Sequence, residues 1–154
     1  MIFVTLGSQK FQFDRLLRAI DELKTEEKIF AQTGFSDYIP ENYEYKPFID
    51  QAEYDRIMEE ADIVITHGGT GAIIGAVKKG KKVIAVPRLK KFGEHVDDHQ
   101  LQLVHEFAKM DLIYACDDMD LEKALNVVRD KKYKGYQSNT KVIIESIEEF
   151  INTI

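Results

Sequence analysis

Ala61-Asp62-Ile63-Val64-Ile65-Thr66-His67-Gly68-Gly69-Thr70-Gly71 passes without a break from an apolar run into a glycine-rich turn. Ile63 to Thr66 reads as a strand buried on both faces. The three glycines in the five residues that follow expose backbone amides and allow close approach to the main chain. A helix is predicted over Gly71 to Lys79, with Gly80 as its C-terminal stop. Amides at the start of a helix, with its dipole behind them, form an anion site. The expected ligand group is a diphosphate. Thr70 supplies a further hydroxyl and His67 faces the ligand. Gly69 is expected to matter to the ligand rather than to the fold. The turn is neither a G-x-G-x-x-G fingerprint nor a P-loop, because no Gly-Lys-Ser/Thr follows.

Outward from this segment, strands and helices alternate. Strands are predicted at Ile2–Leu6, Lys28–Gln32, Val83–Val86 and Leu112–Ala115. A further extended segment, Tyr45–Ile49, can only be an edge strand because of Pro47. Helices are predicted at Phe11–Leu23, Asp50–Glu60, His95–Lys109, Asp120–Asp130 and Asn139–Ile154. On the third of these Leu101, Val104, His105 and Ala108 share a stripe, and on the last Ile143, Ile147 and Ile151 are expected against the sheet, with Phe150 and Ile154 toward a partner. The alternation means an α/β fold, a Rossmann-like parallel sheet with helices on both faces. Ligands of such sheets sit at the carboxyl ends of the strands. Gly7-Ser8, Gln32-Thr33-Gly34, His67 to Gly71 and the loop after Pro87 all follow strands, so they are expected to converge on one rim.

The totals set limits. A length of 154 residues suits one domain, 1–154, and 44% apolar with 31% charged residues is a globular balance. A net charge of −6 argues against nucleic acid as a partner. The single cysteine, Cys116, excludes an internal disulfide and fits a reducing compartment. No run is long enough for a membrane span, and the N-terminus has no basic leader, so a cytoplasmic protein is expected.

Other motifs have competing readings. His95 and His99 stand one helical turn apart, a zinc spacing, but lack further ligands, and no bound metal is expected. Asp98, His99 and Gln100 suit sugar hydroxyls better, or else form an acidic helix start. Asp118-Met119-Asp120 is formally a D-x-D diphosphate motif, but it stands where a helix needs a cap. The lysine clusters Lys78 to Lys82 and Lys131 to Lys134 read as solvated, or as attracted to an anionic membrane. Cys116 has no neighbouring base and reads as inert.

Phe3-Val4-Thr5-Leu6-Gly7-Ser8, Gln32-Thr33-Gly34, His67-Gly68-Gly69-Thr70-Gly71, Val86-Pro87 and His95-x-x-x-His99-Gln100, in this order, resemble the family 28 glycosyltransferase C-terminal domain. The likeness covers essentially the whole chain. It is closest to the small stand-alone members, the Alg13-like subunits and their PssE- and EpsF-like bacterial relatives in capsule and exopolysaccharide assembly. The resemblance implies one half of a GT-B glycosyltransferase: a UDP-sugar-binding domain that works without a bound metal or cofactor. It implies that Gly7 and Ser8, with Thr33 and Gly34, face the diphosphate across the cleft from Gly68, Gly69, Thr70 and Gly71. Gln100, His99 and Asp98 would lie near the donor sugar. Relatives carry a ribose-binding Glu on the helix after the glycine loop; Gly75 stands there in this chain, and Glu94 is the candidate replacement.

The resulting expectation is the donor-binding subunit of a two-component inverting transferase. It moves a hexose, with galactose as the leading sugar, from UDP to a lipid-diphosphate-linked sugar acceptor. The missing half is a membrane-anchored, Alg14-like partner that holds the chain peripherally at the inner face of the plasma membrane. His67 is the candidate catalytic base. Two other readings stay open: a non-catalytic nucleotide-sugar-binding module, which would bind UDP but never transfer, and a hydrolase or epimerase on the same rim. The second lacks a nucleophile–base pair and a nicotinamide fingerprint.

Overall fold

The structure is a computed structural model that describes residues 1–137 and 139–153. Its strands are β1 (Ile2–Thr5), β2 (Ile29–Gln32), β3 (Glu44–Lys46), β4 (Ile63–His67), β5 (Lys82–Val86) and β6 (Tyr114–Ala115). Its helices are α1 (Asp14–Asp21), α2 (Gln51–Glu60), α3 (Thr70–Lys78), α4 (His99–Lys109), α5 (Leu121–Asp130) and α6 (Thr140–Thr153). Among the described residues the strands form one sheet in the order β3-β2-β1-β4-β5-β6, and each recorded pair is parallel. The order turns in opposite directions from the central β1–β4 pair. That pair therefore marks the switch point, and a crevice opens above its carboxyl ends. β3 lies at the edge, and it stops at Lys46, before Pro47, rather than running through Tyr45–Ile49.

Period-two side-chain alternation divides the core. Ile2, Val4, Ile63, Ile65, Ile84 and Val86 pack with Leu16, Leu17 and Ile20 of α1 and Leu125 and Val128 of α5. Phe3, Val64, Val83 and Ala85 face the other way, toward Ile57, Ile73, Val104, Phe107, Ile144 and Ile151. Continuous apolar strands are thus covered on both faces, which is why they read as unbroken hydrophobic runs.

Two helix starts differ from the sequence expectation. α1 begins at Asp14 rather than Phe11, because the carbonyls of Phe11 and Gln12 accept from Arg88 and the Phe13 N–H donates to Ser36 Oγ. α4 begins at His99 rather than His95. Asp97 takes the His99 N–H and Asp98 takes the Lys90 N–H, so local side-chain bonds hold this stretch as a loop. The buried stripe of α4 is correspondingly Gln100, Leu103, Val104 and Phe107, while His105 is exposed and pairs with Asp117 at 2.8 Å. On α6, Ile144 and Ile151 point inward; Ile143, expected inward, is 39% exposed. Ile154, expected on the partner face, lies outside the described residues.

Candidate functional site: a glycine-lined rim above the central strands

β4 ends on His67, whose ring lies between two glycine loops. A Cβ at Gly7 would stand 2.7 Å from His67 Nε2, and one at Gly69 would collide with the same ring at Cε1. These glycines therefore make room for an imidazole, and Gly7 also needs its left-handed φ of +70°. Gly69 matters to the fold after all. His67 is buried, and Gln100 Nε2 donates to its Nδ1 at 3.3 Å. Burial first, then the charges of Arg88 and His95, push its pKa down to about 3. The ring is neutral, enclosed and weakly basic. It acts as a strut under the rim, which corrects its expected place as a base facing the ligand.

Gln100 is also consumed internally. Its Oε1 accepts from the Gly68 N–H at 3.1 Å and from the Arg88 N–H at 3.0 Å. It ties the loop after β4 to the loop after β5 and is 4% exposed, so the expected contact with a donor sugar is not available from this position. Gly68 is buried against it: a Cβ there would meet Gln100 Cβ at 2.9 Å. Glu94, the expected ribose ligand, is 3% exposed. Arg15 grips both of its oxygens, Nε at 3.0 Å and Nη2 at 2.9 Å, and the Leu89 N–H donates to it as well. It is a loop clamp. Thr33 and Gly34 are likewise buried, Gly34 beneath the Gly7 carbonyl, and brace the β1 loop rather than face a ligand.

Sequence reasoning missed Arg88 and Arg15. Arg88 is 1% exposed, lies over the Phe13 ring, and donates to the carbonyls of Leu6, Phe11 and Glu94. It fastens the end of β5 to the loop after β1. Burial lowers its pKa to about 10, so it stays charged at neutral pH. The one cue was an arginine directly behind Val86-Pro87. Arg15 gave none, since it looks like Arg18 on the same helix.

The remaining candidates line the open side. Gly7, Gly69 and Thr70 are partly exposed; Ser8, Gly71 and Asp98 are exposed; His99 is 29% exposed. Gly69 caps α3 without a side-chain bond, so the first-turn amides face the crevice without help from a capping group. Gly71 has no atom within 4 Å of a built Cβ. The arrangement offers donors and a dipole at one end, with a carboxylate and an imidazole at the other.

The competing motifs fall into place. Asp120 caps α5 by accepting from the Lys123 N–H, and Asp118 accepts from the Asp120 N–H, so D-x-D is a capping device here. Burial raises the Cys116 thiol to about 12, which keeps it protonated. Lys81 and Lys82 donate to the Glu59 and Arg129 carbonyls near the amino ends of the strands. Among the described residues no three His, Cys, Asp or Glu side chains converge as metal ligands, and no helix is long and apolar enough to cross a membrane.

Comparison with known proteins agrees with this fold. The NMR solution structure of ALG13 superposes with a TM-score of 0.63 at 16% identity, over 95% of this chain and 96% of that one. The crystal structure of CalG4, the calicheamicin glycosyltransferase, gives 0.62 at 17% identity over 99% of this chain and 39% of that one. The fold is that of one half of a GT-B glycosyltransferase. In sequence, the UDP-N-acetylglucosamine transferase subunit ALG13 of Homo sapiens is 28% identical over 128 residues, 75% of this chain and 11% of that protein. The subunit of the same name from Yarrowia lipolytica is 30% identical over 95 residues, 60% of this chain and 46% of that protein. The chain thus spans less than half the length of these curated relatives. The glycosyltransferase family 28 C-terminal domain matches residues 1–154, and the chain belongs to that family.

Proposed function

We propose that this chain is the donor-binding subunit of a two-component, inverting UDP-sugar glycosyltransferase. The observation that carries the reading is the uncapped first turn of α3 beside Gly7 and Ser8, above the β1–β4 switch point. The diphosphate of UDP would accept from the amides of Gly69 to Gly71 and the hydroxyls of Thr70 and Ser8. Charge that develops on the departing UDP would be stabilised there by donors already in place. Asp98 and His99 are the accessible groups for the hydroxyls of the ribose or the sugar. With Glu94 and Gln100 consumed, they carry that role in this proposal.

The sugar is a hexose on the resemblance to capsule and exopolysaccharide subunits, with galactose as the first candidate. The curated relatives are named for N-acetylglucosamine transfer, which makes that sugar the competing donor. The acceptor is a lipid-diphosphate-linked sugar held by a membrane-anchored, Alg14-like partner, and the chain works at the inner face of the plasma membrane through it. No bound metal is required by this proposal.

Calorimetry and thermal shift with UDP, UDP-galactose, UDP-glucose and UDP-N-acetylglucosamine test the donor. UDP is expected to bind, and one UDP-sugar to bind more tightly than UDP. No binding of any uridine diphosphate removes the reading. Binding without transfer in the presence of the partner leaves the non-catalytic module instead.

A further inference from the structure

We propose that His95 is the group that takes the proton from the acceptor hydroxyl, with Asp97 as its positioning residue. This rests on the donor reading above and supplies the base that reading leaves unassigned. His95 stands on the loop between β5 and α4. Its ring centroid is 5.7 Å from that of Phe11, and its Nε2 is 3.5 Å from Gln9 Nε2. Both neighbours belong to the loop after β1 that carries Gly7 and Ser8, so His95 sits beside the rim, on the same crevice as the nest.

Two groups meet Nδ1: Asp97 Oδ1 at 3.1 Å and, more loosely, the Asp97 N–H at 3.4 Å. The step uses the tautomer in which Nδ1 donates to the nearer carboxylate, which only accepts, and Nε2 keeps its lone pair. The Gln9 amide meets that lone pair only at 3.5 Å, a loose contact that a substrate hydroxyl can displace. Asp97 is itself fixed. Its Oδ1 accepts the His99 N–H at 3.0 Å, and its Oδ2 lies 3.5 Å from His99 Nδ1. An imidazole oriented by an anchored carboxylate is the arrangement general-base catalysis uses. His67 is enclosed and His105 pairs with Asp117 elsewhere, whereas the His95 side chain keeps 18% of its surface open.

A second observation points to a ligand. Gln9 Oε1, on the same amide that meets His95, is shielded from solvent and has no hydrogen-bond partner among the described residues. A sugar with neighbouring hydroxyls would place one on His95 Nε2 and satisfy Gln9 Oε1 with the next. The charged and titratable groups around His95 are Asp97 on its own loop, His99 at the start of α4, neutral His67 at the end of β4 and buried Arg88 after β5.

The step balances. The acceptor O–H proton moves to His95 Nε2 as the oxygen bonds to the anomeric carbon. The bond from that carbon to the diphosphate oxygen breaks, and its electron pair leaves with UDP. His95 ends as an imidazolium paired with Asp97 and returns its proton to water.

The test uses the chain co-expressed with its partner. His95→Gln is expected to lower kcat at least about 100-fold while UDP affinity changes less than about 2-fold, and to remove the acidic limb of the kcat–pH profile. Asp97→Asn is expected to lower kcat at least about 10-fold while KM and UDP affinity change less than about 2-fold, because the imidazole loses the carboxylate that orients it. Unchanged kcat in His95→Gln, with wild type active and binding UDP, overturns the assignment alone. Wild type that binds no UDP overturns the donor reading and this assignment with it. Should His95→Gln fold poorly, Asp97→Asn decides: an unchanged kcat, or a kcat loss matched by an equal loss of UDP affinity, overturns the proposal.

Discussion

Gly71 has nothing near the space a Cβ would occupy, and its φ is not in the left-handed region. No contact among the described residues explains the absence of a side chain there. Gly71 lies in the first turn of α3, where glycine costs less than the roughly 0.5–1 kcal/mol it costs mid-helix, and its empty Cβ position leaves room for a ligand to approach the backbone. Gly71→Ala is therefore expected to leave stability unchanged or higher, and to weaken UDP binding about 10-fold, or about 1.4 kcal/mol. Gly69→Ala is expected to do the reverse, lowering stability because its Cβ falls in the His67 ring. Denaturant melts with calorimetry on both variants check this. A Gly71→Ala protein that binds UDP as tightly as wild type would remove the diphosphate from the first turn of α3. The two variants thus test different causes for glycines of one motif, packing against His67 for Gly69 and a ligand for Gly71.

The elements themselves are simple; the loops that join them are held by a buried polar lattice of His67, Gln100, Arg88, Glu94 and Arg15. That lattice has a pH signature. Folded His67 titrates near 3, and an unfolded histidine near 6.5. Between these values the unfolded chain binds more protons, so this contribution is complete above pH 6.5 and is lost as pH falls toward 3. The slope is at most about 1.4 kcal/mol per pH unit. Urea melts from about pH 7 to about pH 5 should show a loss of stability that His67→Gln reduces; identical pH slopes in the two proteins would refute the buried neutral histidine. The strands that cross the core are legible in sequence because both faces are apolar, and α5 because Asp120 caps it. The start of α1 is not legible, since Arg88 fixes it from 77 residues away; the start of α4 is set by Asp97 accepting the His99 N–H, a short-range bond hidden by the helical spacing of His95 and His99. The glycine turn stands where the sequence reading puts it, between the carboxyl end of β4 and the start of α3. Glu94 and Gln100 look like ligand residues in sequence because their side-chain chemistry is right, yet the Arg15 that consumes Glu94 lies 79 residues away.

At the scale of the whole molecule, the proposed reading makes the rim of this chain one wall of a cleft whose other wall belongs to a partner. That partner is expected to attach through α6. On α6, Ile144 and Ile151 are buried with Phe107 of α4, whereas Phe150 and Val142 are 66% and 63% exposed. Phe150 borders a groove of about 480 Å³ shared with Gln102, His105 and Ile147. Leaving a phenylalanine this open on an amphipathic helix suits an interface better than a solvent face. Removing the whole helix end would also remove Ile151 from the core, so a point change separates the two roles. Phe150→Ser is expected to change stability by no more than about 0.5 kcal/mol, as for other surface positions, and to leave UDP binding intact. It should abolish co-purification with the membrane-anchored partner, and with it transfer to a lipid-linked acceptor. Ile144→Ala, the matching inward change, is expected to cost about 2–5 kcal/mol. The isolated wild-type chain should bind UDP and transfer nothing. Full transfer by that chain alone would end the two-component reading, and an intact complex with Phe150→Ser would move the interface away from α6.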